Sequence, residues 1–529
     1  MPRITVNGEI IDVPDGRTIL QALDDVGLLM NGVEIPHYCW HPKLSIDGSC
    51  RLCQVEVEGI PKLQIACNTP VQEGMAIRTD TERVRKAREG VMELLLVNHP
   101  LDCPICDQAG ECKLQDYAYE YGVEASRTRE PRRALKKNVD LGSTIKFDQE
   151  RCILCRRCVR FCNEVPGTGE LRVFNRGDAS VIDVHPDFPL ENDYSMNVAD
   201  ICPVGALTTQ DFRFKIRVWF LEDVPGICTG CSKGCNVHIG VANNKVYRYV
   251  PRRNDDVNDT WICDSGRMSY KQIGGGGRLK EASVRGEGGR LENTGYEAAV
   301  REAASRLRNV IEEHGADSVV VLASAHATNE DLFTLRRLSD GLGAGADGVA
   351  VVQGKSDALL IQADKAANVA GARALGFGPA GPVLDRIRAG QAKAAIVLGH
   401  DLLDESHLGG TEALEGLDLL IVLDFQQSAL QKVADVVIPV RHAAEKHGTL
   451  TNHAGRVQRL TPAVEPAWDA WSDGEVLTLM GLALGLEDFE DGYDPAKISE
   501  WMSERVSAFA GVHLRVIGNQ GRPLPGEGT

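Results

Sequence analysis

No stretch of this 529-residue chain approaches the ~20 consecutive apolar residues that a membrane helix needs. The longest strongly apolar runs, such as 91–97 and 318–325, end well short of that. The opening MPRITVNGEI lacks the continuous apolar segment of a secretory signal. A soluble, cytoplasmic chain is expected. Basic charge is also in deficit: 75 Asp+Glu stand against 58 Lys+Arg, a formal net charge of -17. That sign argues against nucleic acid as a partner, because such binding comes mostly from neutralised phosphates. No G-x-G-x-x-G dinucleotide fingerprint is evident. The glycine run 274–277 is not followed by the Lys-Ser/Thr of a phosphate loop, so it reads as a linker. Cysteine is missing from everything after Cys263.

What is present is a globular composition, 43% hydrophobic and 25% charged, in a chain long enough for several domains. All 16 cysteines fall between Cys39 and Cys263. Disulfide staples would rarely be spread so unevenly, and pairs such as Cys50/Cys53, Cys103/Cys106 and Cys228/Cys231 read as metal ligands in a reducing compartment. The chain divides into a metal-rich front half and a metal-poor back half.

Ile4 and Val6, then Glu9 to Val13 after Asn7-Gly8, alternate as a β-hairpin. A helix-period segment follows from Thr18 to Val26, and this opening suggests a small α+β unit of the β-grasp kind. Arg83 to Val97 has the stripe of an amphipathic helix, stopped at Pro100. The basic run from Arg127 to Lys137 is either a solvated connector or a contact for an acidic neighbour. Beyond the glycines the pattern becomes helix and buried strand in alternation. A helix is predicted over 296–313, strands over 318–323, 394–398, 419–423 and 436–440, and helices over 382–389 and 428–433. That is a doubly wound α/β domain, which alone says nothing of function.

Four ligand sets can be written from the front half. Cys39, Cys50, Cys53 and Cys67 are spaced C-x10-C-x2-C-x13-C, with Gly48 letting the backbone come close. After a β-grasp start this favours a 2Fe–2S centre, with a structural zinc site as the alternative. His99, Cys103, Cys106 and Cys112 follow as H-x3-C-x2-C-x5-C. An imidazole replacing one thiolate makes such a centre less negative and should raise its potential. Cys152, Cys155, Cys158 and Cys162 form the bacterial ferredoxin run C-x2-C-x2-C-x3-C. In two-cluster ferredoxins the fourth cysteine of each run serves the other cluster. Here a second run ending at Cys202 would need cysteines where Asn192, Ser195 and Val198 stand, so one 4Fe–4S centre is expected on Cys152, Cys155, Cys158 and Cys202. Cys162 is left as a buried, inert thiol. Cys228, Cys231, Cys235 and Cys263 make C-x2-C-x3-C-x27-C, with zinc again the alternative. Fifteen cysteines and one histidine thus account for four sets of four.

The order of these motifs resembles the large iron–sulfur subunit (the G-subunit) of respiratory complex I, the NADH:quinone oxidoreductases. The resemblance is carried by HPLDCPICDQAGECKLQD from His99, CILCRRCVRFC from Cys152, CPVGAL from Cys202 and the Cys228–Cys263 set. It extends more weakly to ANVAGA from Ala367 and EKHGTLTNHAGRVQ from Glu445, which look like landmarks of a molybdopterin-oxidoreductase domain. The resemblance implies a multidomain α+β and α/β chain. Its parts would be a β-grasp 2Fe–2S domain over 1–79, a 4Fe–4S domain with one histidine and three cysteine ligands over 80–120, and a 4Fe–4S ferredoxin-like domain over 121–215. A 4Fe–4S domain of the molybdenum/tungsten-enzyme type would follow over 216–273, and a truncated molybdopterin-oxidoreductase-like domain over 278–515.

The resemblance also implies a role. The chain would relay single electrons from a flavin-binding subunit through the Cys39 centre, the Cys152 centre and the His99 centre to a cluster in another subunit, toward quinone. The Cys263-containing centre, found in some bacterial members, would lie off that path. One 2Fe–2S and three 4Fe–4S clusters are expected, with no molybdenum and no complete active site in this chain alone. It would sit peripherally on the cytoplasmic face of a bacterial inner membrane, held there through partners. The competing readings are the iron–sulfur portion of an NAD-linked formate dehydrogenase or of a hydrogenase, and a zinc scaffold without redox function.

Overall fold

The structure is a computed structural model that describes residues 1–526 apart from 30, 124 and 467. It divides into two compact units, Met1–Leu221 and a second beginning at Glu222.

The first unit opens with the hairpin Arg3–Val6/Glu9–Asp12, in register Val6↔Glu9. Asn7 and Gly8 both take positive φ (50° and 96°), as the tight turn requires. The sheet is mixed. Arg3–Val6 pairs in parallel with Ala76–Arg78, which pairs antiparallel with Gln54–Val57, and Gln64–Ile65 closes the far edge. The helix Ile19–Asp25, capped by Thr18 and Gln21, buries Ile19, Leu20, Ala22 and Leu23 in the same core as the sheet's Ile4, Val6, Val55 and Ile77. This is the expected β-grasp arrangement. The amphipathic helix covers Glu82–Leu96, and shorter helices at Lys113–Tyr121 and Arg157–Glu164 follow. The two ends of the basic run are paired within the chain. Arg127 pairs with Glu93, and Lys137 lies 2.6 Å from Asp102 and 2.8 Å from Glu150.

The second unit holds an eight-stranded sheet. Six of its strands are parallel: Val319–Ser324, Ala346–Ala350, Gly378–Pro379, Ala394–Leu398, Leu419–Asp424 and Val436–Pro439. Numbered by chain position they lie in the order 3-2-1-4-5-6. β-Branched runs such as VVVL and AAIVL are buried on both faces, as a doubly wound sheet demands. Helix Tyr296–His314 and strand 419–424 agree with the sequence to within a residue. The segment 428–433 does not form a helix. It makes one 3₁₀ turn over Ala429–Lys432, because strand Val436–Pro439 begins too soon for a second turn.

The glycine run 274–277 is not a boundary. Arg278 is buried against Glu445 at 2.7 Å, and Leu279 N donates to Phe425 O at 3.0 Å, so the chain leaves the glycines straight into the second core. The Cys228–Cys263 set therefore belongs to the same compact unit as the α/β sheet.

Candidate metal centres

Cys39, Cys50, Cys53 and Cys67 come together beside the first sheet. Cys53 immediately precedes strand Gln54–Val57, and its carbonyl accepts from Ala66 N at 2.9 Å, which brings Cys67 alongside. Arg51 at φ 59° and Gly48 at φ 67° fold the Cys50 loop back on itself. The four thiols are linked in a chain of hydrogen bonds, between Cys50 and Cys39, Cys39 and Cys67, and Cys67 and Cys53. Cys39 accepts from Cys50 and Cys67, which lowers its pKa and raises theirs, and Cys67 also donates to Cys53.

The second set lies after helix Glu82–Leu96. Cys106 N donates to Asp102 O at 2.7 Å, and Cys112 N-caps helix Lys113–Tyr121. Cys106 and Cys112 are buried and Cys103 is exposed. Burial and the charges of Arg151 and Arg132 hold His99 down to about 4 against the opposing Asp102, so its imidazole is neutral and able to ligate. Arg151 also faces Cys106 and donates to Asp102 at 2.9 Å. Backbone crowding marks the space the sulfurs need: a Cβ on Gly205 would stand 2.2 Å from Cys106 Sγ.

Cys152, Cys155, Cys158 and Cys202 line one cavity, closed by Phe147, Ile182, Val204 and Leu207 with Arg157 on its wall. Leu154 and Arg156 hold left-handed φ of 53° and 57°, a conformation that costs a non-glycine residue about 1 kcal/mol or more. The loop is thereby curled so that Leu154 N points at Cys152 Sγ, 3.4 Å away. Cys162 is not on the cavity wall. It is fully buried in helix Arg157–Glu164, its thiol pushed up to about 12 by burial and by Glu170. Where ligands of a second ferredoxin cluster would stand, side chains bond to one another instead. Asn192 donates to Glu170 at 2.9 Å, and Ser195 pairs with Thr144 at 2.7 Å.

In the second unit, Cys228 follows strand Glu222–Ile227 and its amide donates to Cys235 O at 2.8 Å. Cys263 N-caps helix Asp264–Met268, its sulfur accepting from Gly266 N at 3.3 Å. A side chain at Gly266 would press on both Cys228 and Cys263 sulfurs, its Cβ 3.0 and 3.1 Å away. All four cysteines line a cavity of about 620 Å³ at the carboxyl ends of the parallel strands, where Ser324, His400, Asp424 and Arg441 also face it. Ligand sites in open α/β sheets lie at this edge.

The Cys152 and Cys228 sets each line one cavity, and the thiols of all three all-cysteine sets are the donor type that iron–sulfur clusters take. Sequence reasoning missed the arginines among them, Arg151, Arg157 and Arg160. It also missed the buried network behind the back-half motifs. Lys446 lies 2.7 Å from Asp331 and 2.6 Å from Asp473. Asn329 reaches Thr449 and Thr451 at 2.9 and 3.0 Å, and Asn368 accepts from Thr451 N at 2.7 Å.

The fold and these sets define an iron–sulfur protein with ferredoxin-type front domains. Family models agree along the chain. They match a 2Fe-2S iron-sulfur cluster binding domain at 2–82, the NADH-ubiquinone oxidoreductase-G iron-sulfur binding region at 88–127 and the ferredoxin-like domain of NADH-quinone oxidoreductase subunit 3 at 142–208. An NDSU1/NuoG-like 4Fe-4S domain matches at 231–271 and molybdopterin oxidoreductase at 348–479. The G-subunit of the NADH-quinone oxidoreductase of Rickettsia conorii is 39% identical over 344 residues, 65% of this chain and 50% of that protein. The mitochondrial NADH dehydrogenase (ubiquinone) iron-sulfur protein 1 of Solanum tuberosum is 40% identical over 341 residues, 64% of this chain and 45% of that one. A chain of an NAD+-reducing NiFe-hydrogenase is 31% identical, covering 41% of this chain and 91% of that one, with a TM-score of only 0.37.

Over about two thirds of its length the chain is similar to the large iron–sulfur subunits, the G-subunits, of NADH:quinone oxidoreductases. It spans about half the length of the curated relatives it matches.

Proposed function

We propose that this chain is an electron-transfer subunit of a NADH:quinone oxidoreductase. It would hold one 2Fe–2S cluster on Cys39, Cys50, Cys53 and Cys67, and 4Fe–4S clusters on the His99, Cys152 and Cys228 sets, within the five domains expected from the sequence. Bound clusters supply one-electron chemistry. The protein's part is to hold thiolates and one neutral imidazole, to keep water away and to fix the charges nearby. The observation that carries this reading is the cavity enclosed by Cys152, Cys155, Cys158 and Cys202, four residues taken from the two ends of a 51-residue segment and chosen in preference to Cys162. The relatives are named as subunits of an oxidoreductase complex, and among the described residues no helix is long and apolar enough to cross a membrane. Contact with a flavin-binding subunit and a further cluster-bearing subunit, and a peripheral place on the cytoplasmic face of a bacterial inner membrane, complete the proposal.

Anaerobic purification followed by iron, sulfide and EPR analysis tests it. The expected content is about 14 iron atoms per chain, with signals from one 2Fe–2S and three 4Fe–4S centres. Zinc in place of iron, or stoichiometric molybdenum, would overturn it.

A further inference from the structure

Two arginines of one helix reach across from the Cys152 set to the Cys39 set. Arg157 Nη1 donates to Ile201 O at 3.2 Å, the carbonyl just before Cys202. Its Nη2 donates to Trp40 O, just after Cys39. Arg160 Nη2 donates to the carbonyl of Cys39 itself and, at 3.4 Å, to that of Cys155. Each guanidinium is thus hydrogen-bonded to backbone belonging to both ligand sets. Arg157 feels the charges of Cys155 and Cys202 from one set and of Cys39 and Cys50 from the other. Its Nε is buried with no hydrogen-bond partner among the described residues, as is that of Arg160, and Arg157 forms part of the wall of the four-cysteine cavity. A buried donor left unpaired costs about 1–3 kcal/mol. Arg157, one of these two, lines the cavity that Cys152, Cys155, Cys158 and Cys202 share.

We propose that Arg157 and Arg160 form a guanidinium bridge joining the two centres, and that the charge of Arg157 raises the reduction potentials of both together. This rests on the assignment of clusters to the Cys39 and Cys152 sets and is independent of NADH, quinone and partner subunits. Reduction adds one electron to a centre and moves no proton. A fixed cation beside the centre stabilises that added charge, and a cation between two centres does so for each. Arg156 is the natural contrast. It neighbours Arg157 in sequence but pairs with Asp47 at 2.7 Å, its side chain 43% exposed and its charge already neutralised.

The test is redox titration followed by EPR on the full chain, purified anaerobically, with iron and sulfide counted in each protein. If the unaltered chain lacks the two signals, the cluster assignment fails and this inference with it. If the signals are present, Arg157→Gln is expected to lower both midpoints. At the potential that half-reduces each centre in the unaltered chain, the reduced-to-oxidised ratio should fall about tenfold in both. Arg157→Lys, which keeps the charge, should restore both ratios to within about threefold, and Arg156→Gln should leave them unchanged. Intact clusters with unshifted midpoints in Arg157→Gln, or a fall confined to one centre, would overturn the inference while leaving the cluster assignment standing. If the glutamine variant loses iron, the lysine variant decides. Full iron with near-normal midpoints upholds the role of charge. Full iron with both midpoints lowered, or iron lost again, overturns it.

Discussion

The side-chain amide of Asn192 donates to Glu170 at 2.9 Å, and the charge of Glu170 also helps to push up the thiol of Cys162. The ground that a second ferredoxin cluster would occupy is therefore held by a closed polar network, and Cys162 faces that network while the cavity of the Cys152 set lies elsewhere.

Cys162→Ser should accordingly leave the iron content and every EPR signal unchanged. Cys158→Ser should remove about four iron atoms and the signal of the Cys152 centre. Iron quantification on the two variants side by side checks this.

The His99 set offers two perturbations with different outcomes. His99→Cys should keep a cluster but lower its midpoint, because an anionic thiolate replaces an imidazole that burial keeps neutral. Gly205→Ala should instead empty the site, since its Cβ would stand 2.2 Å from Cys106 Sγ. The 2Fe–2S signal, which depends on other residues, should persist in both. Potentiometric EPR separates the two results.

Glu330 is fully buried and accepts from Thr449 N at 2.7 Å and Thr449 Oγ1 at 2.8 Å. Burial raises its carboxyl to about 7, above the ordinary value near 4.3. The folded protein therefore holds this proton more tightly than the unfolded chain does. The associated stability is present below about pH 4 and declines as pH rises through about 7. Its size is on the order of 3 kcal/mol. Glu330→Gln can keep both hydrogen bonds, with the amide oxygen accepting from Thr449 N and its NH₂ donating to the hydroxyl. Urea unfolding of that variant between pH 4.5 and 7.5 should show a flatter dependence on pH.

Lys446 is buried between Asp331 and Asp473, with Tyr493 donating to Asp331 at 2.7 Å. Lys446→Met would leave two carboxylates without their cation. The second unit should lose about 3–5 kcal/mol, read as an earlier unfolding transition by calorimetry.

The parts of the fold that were legible in the sequence are those where one interaction dominates. Asn7-Gly8 announced its turn because few other pairs accept two positive φ values. The grouping of the Cys152 and of the Cys228 cysteines, each around one cavity, was legible because thiols at such spacing have few other uses. The helix Asn329–Leu342 went unseen because its first residues, Asn329, Glu330 and Asp331, are all polar and all fully buried, which erases the amphipathic pattern. The glycine run misled for a related reason: composition reports flexibility, but its neighbours Arg278 and Leu279 are anchored across 167 and 146 residues of sequence, by Glu445 and Phe425. The motif CILCRRCVRFC does not tell its arginines apart, and only the folded chain shows which carbonyls Arg157 and Arg160 reach.

The break after Leu221 has a practical meaning for how this molecule would age. Heat that melts the parallel sheet would release the iron held by Cys228, Cys231, Cys235 and Cys263, because those cysteines share its compact unit. The other three ligand sets are fastened to a separate body. Loss of the brown colour should therefore come in two waves, one of which would erase a single centre.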